Sequence, residues 1–172
     1  MKVYDCFMFF DENLVLELRL NLLDKYVDYF VIVESKYNHK GEAKKLNFDI
    51  KKFKKFEQKI IYIIYDQQPS DLYKFEKKDT KRDIDGKYIF NAYKRENAQR
   101  NLISQGLKNA SLDDLIIISD VDEIPNLEKI NFNKIKNEIL VFRQDMFYYK
   151  FNLKLSNFKW TGSKACKMKK LI

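Results

Sequence analysis

Short apolar runs alternate with longer mixed stretches along this chain, and the alternation predicts most of its secondary structure. Apolar runs bounded by polar residues are typical of buried strands. On this basis we expect strands over 3–10, 28–34, 59–65, 114–119 and 138–149, with 151–160 either continuing or crossing the sheet. Strands this apolar need cover on both faces.

Helical spacing of apolar residues occupies most of the intervals between these strands. The spacing predicts helices over 12–26, 48–56 and 88–110. Residues 66–87 are charged and irregular, and a loop of that length is usually functional or mobile. Strands that alternate with helices form βαβ units. We therefore predict one α/β domain over 1–172, with a mostly parallel central sheet flanked by helices.

In a parallel sheet, ligands bind at the edge where the strands end. Residues expected at that edge are Phe10, Glu34, Asp66 and 120–122. Three of these four positions are acidic. The carboxyl edge of the sheet is therefore the first candidate for a functional site.

The fourth predicted strand runs directly into carboxylates in the segment "LIIISDVDEIP", residues 115–125. In an extended chain Asp120 and Asp122 project to one side, about 6–7 Å apart, while Val121 and Glu123 point to the other. Two such carboxylates repel each other unless a cation compensates them. Mg²⁺ or Mn²⁺ suits carboxylate ligands and completes its shell with substrate phosphates. The alternative is a solvated loop whose carboxylates cap a turn.

The helix before this strand carries charges beside its apolar stripe of Ala92, Tyr93, Ile103, Leu107 and Ala110. Glu96 and Arg100 are spaced to pair with each other. They form either a structural ion pair, or a pair in which Glu96 holds Arg100 against a diphosphate or the acidic motif. Arg95 is a second candidate for binding phosphate, which an arginine fork recognises well.

Composition narrows the class of protein. With two cysteines and one histidine in 172 residues, a Cys/His zinc site is excluded, and unpaired cysteines suggest a cytoplasmic location. No apolar run reaches membrane-spanning length, so we expect at most peripheral membrane association. The net charge is +8, but the lysines are dispersed, which favours a solvated surface over nucleic-acid binding.

Five segments resemble family 17 glycosyltransferases: "FFDENLVLELRLNLL", "DYFVIVES", "YKRENAQRNLISQGL", "DDLIIISDVDEIP" and "FKWTGSKACK". The resemblance implies a GT-A fold, a UDP-sugar donor and an Asp-x-Asp metal motif. It implies that Asp122 ligates Mn²⁺ or Mg²⁺ and that Asp120 faces the ribose or the water shell of the metal. In related GT-A enzymes an acidic residue at the position of Glu34 contacts the uridine.

The implied reaction transfers N-acetylglucosamine from UDP-N-acetylglucosamine to a glycan acceptor, with inversion of configuration at the anomeric carbon. Such a transfer needs a carboxylate that takes the proton of the acceptor hydroxyl, and Asp145 or Glu123 can do so. We expect Trp160 to pack in the core, although it could stack on an acceptor sugar.

Two other functions remain open at this point. Members of the family usually continue beyond the tryptophan–glycine segment, so the chain could be a donor-binding domain without turnover that lacks an acceptor segment. A phosphotransferase or nuclease could also use the acidic pair.

Overall fold

A six-stranded sheet lies at the centre of the computed structural model, which describes residues 1–135, 138–150 and 152–171. The strands are β1 (Val3–Phe9), β2 (Tyr29–Ser35), β3 (Ile60–Tyr65), β4 (Leu115–Asp120), β5 (Leu140–Val141), β6 (Gln144–Phe147), β7 (Lys154–Trp160) and β8 (Lys164–Lys167). The order in the main sheet is β3-β2-β1-β4-β8-β5. Its first four strands are parallel, as predicted, and β8 and β5 extend it in antiparallel fashion.

Helices cover both faces of this sheet. They are α1 (Asn13–Leu23), α2 (Lys81–Asn101) and α3 (Ile103–Gly106), with 3₁₀ segments at Ile50–Lys59, Phe132–Lys134 and Met168–Lys170. On one face, α1 buries Leu16 and Leu20 against Phe7 and Phe30. The predicted α/β domain with a mostly parallel sheet between helices is therefore confirmed.

The opposite face is closed by the end of the α2–α3 region. Ile103 and Leu107 pack there against Cys6 and Val31. Cys6 and Cys166 are both buried and unpaired. Because the apolar side chains of β1 and β2 alternate between the two faces, each strand contributes to both halves of the core.

Two predicted elements in the middle of the chain have different bounds. The basic segment predicted as a helix over 48–56 is a 3₁₀ run with a kink at Phe53. The long helix begins earlier than predicted because Thr80 and Asp83 form a capping box at its start. It ends at Asn101 instead of continuing to residue 110, and it leaves Tyr93 exposed instead of packed.

The carboxyl-terminal third departs most from the prediction. The single strand expected over 138–149 is two short strands, of which β5 joins the main sheet and β6 pairs with β7 in a separate hairpin. Phe151, at the start of the next predicted strand, lies outside the described residues. β8 was not predicted, because lysines flank the two buried residues Ala165 and Cys166 and hide the apolar signal. Within the described ranges, every helix is too short or too polar to span a bilayer.

Candidate functional site

The chain turns immediately after β4, and this turn carries the acidic motif. Asp120 is the last residue of β4, and its carbonyl accepts a hydrogen bond from the backbone N–H of Glu123 (3.1 Å). Asp120 and Asp122 are exposed, whereas Val121 between them is buried. Both aspartates line the same two clefts, so they face one side of the sheet edge, as the alternation predicted.

Glu123 was predicted to point away from the aspartates, and this was wrong. Its Oε2 accepts a hydrogen bond from the backbone N–H of Asp120 (3.1 Å), and its Oε1 accepts one from the indole N–H of Trp160. Period-two alternation holds only for extended chain, and the chain has already turned at this position. Glu123 therefore joins Asp120 and Asp122 beside the same cleft.

A cleft of about 430 Å³ opens at the carboxyl ends of β1, β2 and β4. We call it the rim cleft, and its walls include Phe10, Ser35, Tyr37, His39, Arg95, Gln99, Asp120 and Asp122. Its volume is within the range of about 300–1,000 Å³ that small-molecule sites occupy. The acidic pair thus opens into a ligand-sized cleft at the edge where parallel sheets bind ligands.

Arg100 connects α2 to the acidic motif. Its Nη2 donates to Glu96 Oε1 (2.8 Å) and to Asp120 Oδ1 (3.3 Å). The predicted Glu96–Arg100 pair is confirmed. Arg100 also contacts the acidic motif, as expected if Glu96 holds it there instead of forming a purely structural ion pair with it. A contact between Arg100 and a phosphate stays a prediction.

Arg95 lies in the wall of the rim cleft. Its Nε donates to Gln68 Oε1 (2.7 Å) and its Nη1 to the carbonyl of His39 (3.1 Å). The guanidinium lies directly over Gly41, where φ is +89° and a Cβ would overlap it. The side chain is thus held at the cleft by two segments distant in sequence, one with His39 and Gly41 and one with Gln68, and its role towards phosphate stays a prediction.

Glu34 is fully buried and does not line the rim cleft. Its Oε1 accepts from Lys44 Nζ (2.6 Å) and the backbone N–H of Asn47 (2.7 Å), and its Oε2 accepts from the backbone N–H of Phe48 (3.0 Å) and the hydroxyl of Tyr62 (2.8 Å). Burial and this hydrogen bond raise the pKa of Tyr62. With four donors on two oxygens, Glu34 anchors the segment after β2 and is not placed to contact a uridine.

A second cleft, of about 460 Å³, lies between the Asp120–Glu123 turn and the β6–β7 hairpin. We call it the hairpin cleft, and its walls include Asp120, Asp122, Glu123, Gln144, Asp145, Phe147, Tyr149, Lys150 and Trp160. Trp160 is 39% exposed here, so the prediction that it packs in the core was wrong. The hairpin stands apart from the main sheet, and its strand β7 therefore has no buried side.

Asp145, the predicted catalytic base, also faces the hairpin cleft. It accepts hydrogen bonds from Lys154 Nζ (2.8 Å) and from Lys159. These two lysines lower the pKa of Asp145 below its ordinary value. The side chain is therefore ionised at neutral pH, and its role as a proton acceptor stays a prediction.

Sequence reasoning missed Arg19, which holds the acidic turn from below. Arg19 is fully buried in α1 and binds Asp5 of β1 through Nε (2.8 Å) and Nη2 (2.7 Å). Its Nη1 donates to the carbonyls of Asp120 (2.9 Å), Val121 (3.1 Å) and Glu123 (3.1 Å). Two charges inside apolar elements, one in a leucine-rich helix and one in the first strand, were the signal that could have revealed this pair.

The acidic turn was tested as a site for Mn²⁺ or Mg²⁺. Among the described residues, no group of three or more His, Cys, Asp or Glu side chains is arranged to hold a metal ion. Mg²⁺ is nevertheless commonly bound by one or two carboxylates together with substrate phosphates. Asp122 is exposed, and Asp120 shares one oxygen with Arg100, so the donor set suits a cation that a phosphate helps to bind.

A larger cleft, of about 720 Å³, lies at the opposite edge, where the strands begin. Three of its charged groups already have partners: Lys59 binds Asp24 (2.9 Å), and Asp28 accepts from the backbone N–H of Val3 (2.7 Å). Ligand sites in parallel sheets lie at the other edge. We therefore assign the functional site to the rim and hairpin clefts.

Comparisons with known proteins identify the family of the chain. A search of curated proteins found no match. A family model described as glycosyltransferase family 17 matches residues 1–170, which include the acidic turn and both clefts. With nearly its whole length matched, the chain belongs to glycosyltransferase family 17.

Proposed function

We propose that this glycosyltransferase has a GT-A fold, depends on Mn²⁺ or Mg²⁺ and uses a UDP-sugar, with N-acetylglucosamine as the transferred group and a glycan as acceptor. The observation that carries the proposal is the exposed pair Asp120 and Asp122 at the mouth of the rim cleft. Two like charges that share a cleft are stabilised by a cation, and a diphosphate supplies the remaining ligands.

Asp122 is the proposed direct ligand. It is exposed, and no side chain of the described residues donates a hydrogen bond to it, whereas Asp120 already accepts one from Arg100 (3.3 Å). Asp120 then faces the ribose or a metal-bound water. Arg95 lines the same cleft and is the candidate for binding a phosphate oxygen. A bound cation would supply positive charge that stabilises UDP as it leaves.

The proposed transfer is a direct displacement. A hydroxyl oxygen of the acceptor forms a bond to the anomeric carbon while the bond from that carbon to the diphosphate breaks. The electron pair leaves with UDP, and the hydroxyl proton passes to a carboxylate. Asp145 and Glu123 both line the hairpin cleft, which borders the same acidic turn as the rim cleft, and either can accept it.

Calorimetric titration with UDP tests the donor site. We expect Mn²⁺ to strengthen UDP binding at least about 10-fold over binding in chelator, and Asp122→Asn to remove this gain. Asp66→Asn is the matched control, because Asp66 is an exposed aspartate near the end of β3 that does not line the rim cleft. Equal affinity with Mn²⁺ and with chelator would contradict the proposed cation.

Turnover is measured separately, as UDP released from UDP-N-acetylglucosamine with and without added glycosides. Release that is abolished by Asp122→Asn and retained by Asp66→Asn supports transfer. UDP binding without any release would favour a donor-binding domain. Steep, salt-dependent binding to DNA without binding to UDP would favour a nucleic-acid function. A cytoplasmic location stays a prediction.

A further inference from the structure

The hairpin cleft has features that the donor site does not require. It shares only Asp120 and Asp122 with the rim cleft, so the acidic turn borders two cavities of similar size. The donor is proposed to bind in the rim cleft, and the hairpin cleft is open to another molecule beside the same carboxylates. The side chains that line this cleft indicate which class of molecule binds there.

Aromatic rings are presented to solvent around this cleft. Phe147 is 45% exposed, Trp160 39% and Tyr149 95%. Tyr149 also has a φ of +61°, a left-handed conformation that costs energy for a residue with a side chain. Exposed apolar rings on a strained backbone are typical of a binding surface. The flat faces of such rings carry partial negative charge and attract the slightly positive C–H groups of a sugar ring.

Polar groups in the same cleft are ready to accept hydrogen bonds. Gln144 Oε1 is buried, and among the described residues it has no hydrogen-bond donor. Buried acceptors normally accept at least one hydrogen bond, so this oxygen indicates that a bound ligand supplies the missing donor, such as a hydroxyl. Glu123 is held in place by the indole of Trp160 and the backbone N–H of Asp120, and each of its oxygens can accept a further bond.

The charges of the cleft nearly balance. Four carboxylates and one lysine line it, but two of the carboxylates are already paired, Asp120 with Arg100 and Asp145 with Lys154 and Lys159. The cleft therefore has no excess of positive charge that would select a phosphate or a nucleic acid. A neutral molecule with both hydroxyls and an apolar face satisfies the aromatic rings and the acceptors together.

We propose that the hairpin cleft binds a neutral pyranose ring of the acceptor, stacked on Trp160 and Tyr149 and hydrogen-bonded to Gln144 and Glu123. This inference rests on the proposed function for its role in transfer, because it brings an acceptor hydroxyl to the acidic turn that borders the donor. The binding of the sugar itself requires neither nucleotide nor cation, and this allows a separate test.

Trp160 is the single tryptophan of the chain, and it lines the hairpin cleft and a neighbouring cleft beside β8. Its fluorescence therefore reports on both clefts, and a variant of Tyr149, which lines only the hairpin cleft, distinguishes them. Methyl glycosides of mannose, glucose, galactose and N-acetylglucosamine are titrated, in chelator and again with UDP and Mn²⁺. We expect at least one glycoside to change the emission saturably, with a Kd on the order of 1–10 mM, as befits one stacked ring with few hydrogen bonds. Glycerol at equal concentration, which lacks a ring face, is expected to have no effect.

Tyr149→Ala is the decisive variant because the side chain is almost fully exposed and its removal leaves the core intact. We expect it to weaken glycoside binding about 10-fold or more without changing the affinity for UDP with Mn²⁺. Tyr93→Ala is the matched control, since Tyr93 is an exposed tyrosine on α2 that lines neither cleft. It should bind the glycoside as the wild type does.

Two outcomes would overturn the acceptor site. In the first, no glycoside alters the emission of Trp160 under either condition. In the second, Tyr149→Ala binds the glycoside as tightly as the wild type. Failure of UDP binding would instead contradict the donor proposal, and the calorimetric titration detects it independently.

Discussion

Replacing Arg19 by methionine is the perturbation that most directly tests how the fold shapes the site. The guanidinium is fully buried, binds Asp5 through two nitrogens and Ser119 Oγ (2.6 Å), and donates to three carbonyls of the acidic turn. Methionine has a similar length but no donor, so the variant leaves the Asp5 carboxylate buried without its cation.

The expected loss of stability follows from that burial. Removing one partner of a buried ion pair costs about 3–5 kcal/mol, because the other charge is left uncompensated. A domain is typically stable by only about 5–15 kcal/mol, so Arg19→Met is expected to be severely destabilised. In the double variant Asp5→Leu/Arg19→Met no charge is stranded, and replacing a whole buried pair by apolar residues is often close to neutral.

The double variant separates stability from function. It restores stability relative to Arg19→Met but does not restore the donors to the carbonyls of Asp120, Val121 and Glu123. We therefore expect urea unfolding, followed by circular dichroism, to place its stability well above that of the single variant. We also expect its affinity for UDP with Mn²⁺ to stay below that of the wild type. A single variant that loses less than about 1 kcal/mol would refute the burial argument. A double variant with wild-type affinity would refute the role of Arg19 in positioning the turn.

Two further predictions concern the hairpin cleft. Lys154 and Lys159 lower the pKa of Asp145, so this ion pair is intact above the ordinary aspartate value of 3.8 and is lost as the pH falls through the lower folded value. If Asp145 is the base, kcat/KM should fall only below pH 3.8 on the acidic side of its pH profile, and Asp145→Asn should lower kcat. A fall in kcat/KM that begins well above pH 3.8 and persists in Asp145→Asn would assign the base to another carboxylate. Gly162→Ala should weaken glycoside binding several-fold without affecting UDP binding, because a Cβ at this position would overlap the Glu123 carboxylate and the Trp160 indole. Unchanged Trp160 emission and unchanged affinity for the glycoside would contradict this packing.

The β1–β4 part of the fold was predictable because its signals are local. Each parallel strand is a continuous apolar run, and each run ends in polar residues at the same edge of the sheet. The acidic motif was found for the same reason, since Asp120 and Asp122 follow such a run directly. The Glu96–Arg100 pair needed only the spacing of one helix.

Local signals did not predict the surroundings of the acidic motif. Glu34 has the position of a nucleotide ligand in the sequence, yet four donors from a later segment and from β3 enclose it. Trp160 is a large apolar residue of a type usually found in the core, yet it lies in the β6–β7 hairpin, which is separate from the main sheet, and its side chain lines a cleft.

By itself, the sequence determined the parallel strands, the edge at which they end and the pair of aspartates at that edge. Only the tertiary structure decided that Arg19 donates hydrogen bonds to the acidic turn and that Asp145 and Trp160 line a cleft together with it. The physical reason is that apolar periodicity describes each segment on its own. Contacts between residues about one hundred positions apart, such as Arg19 with the carbonyl of Asp120, form only when the packed core brings the segments together.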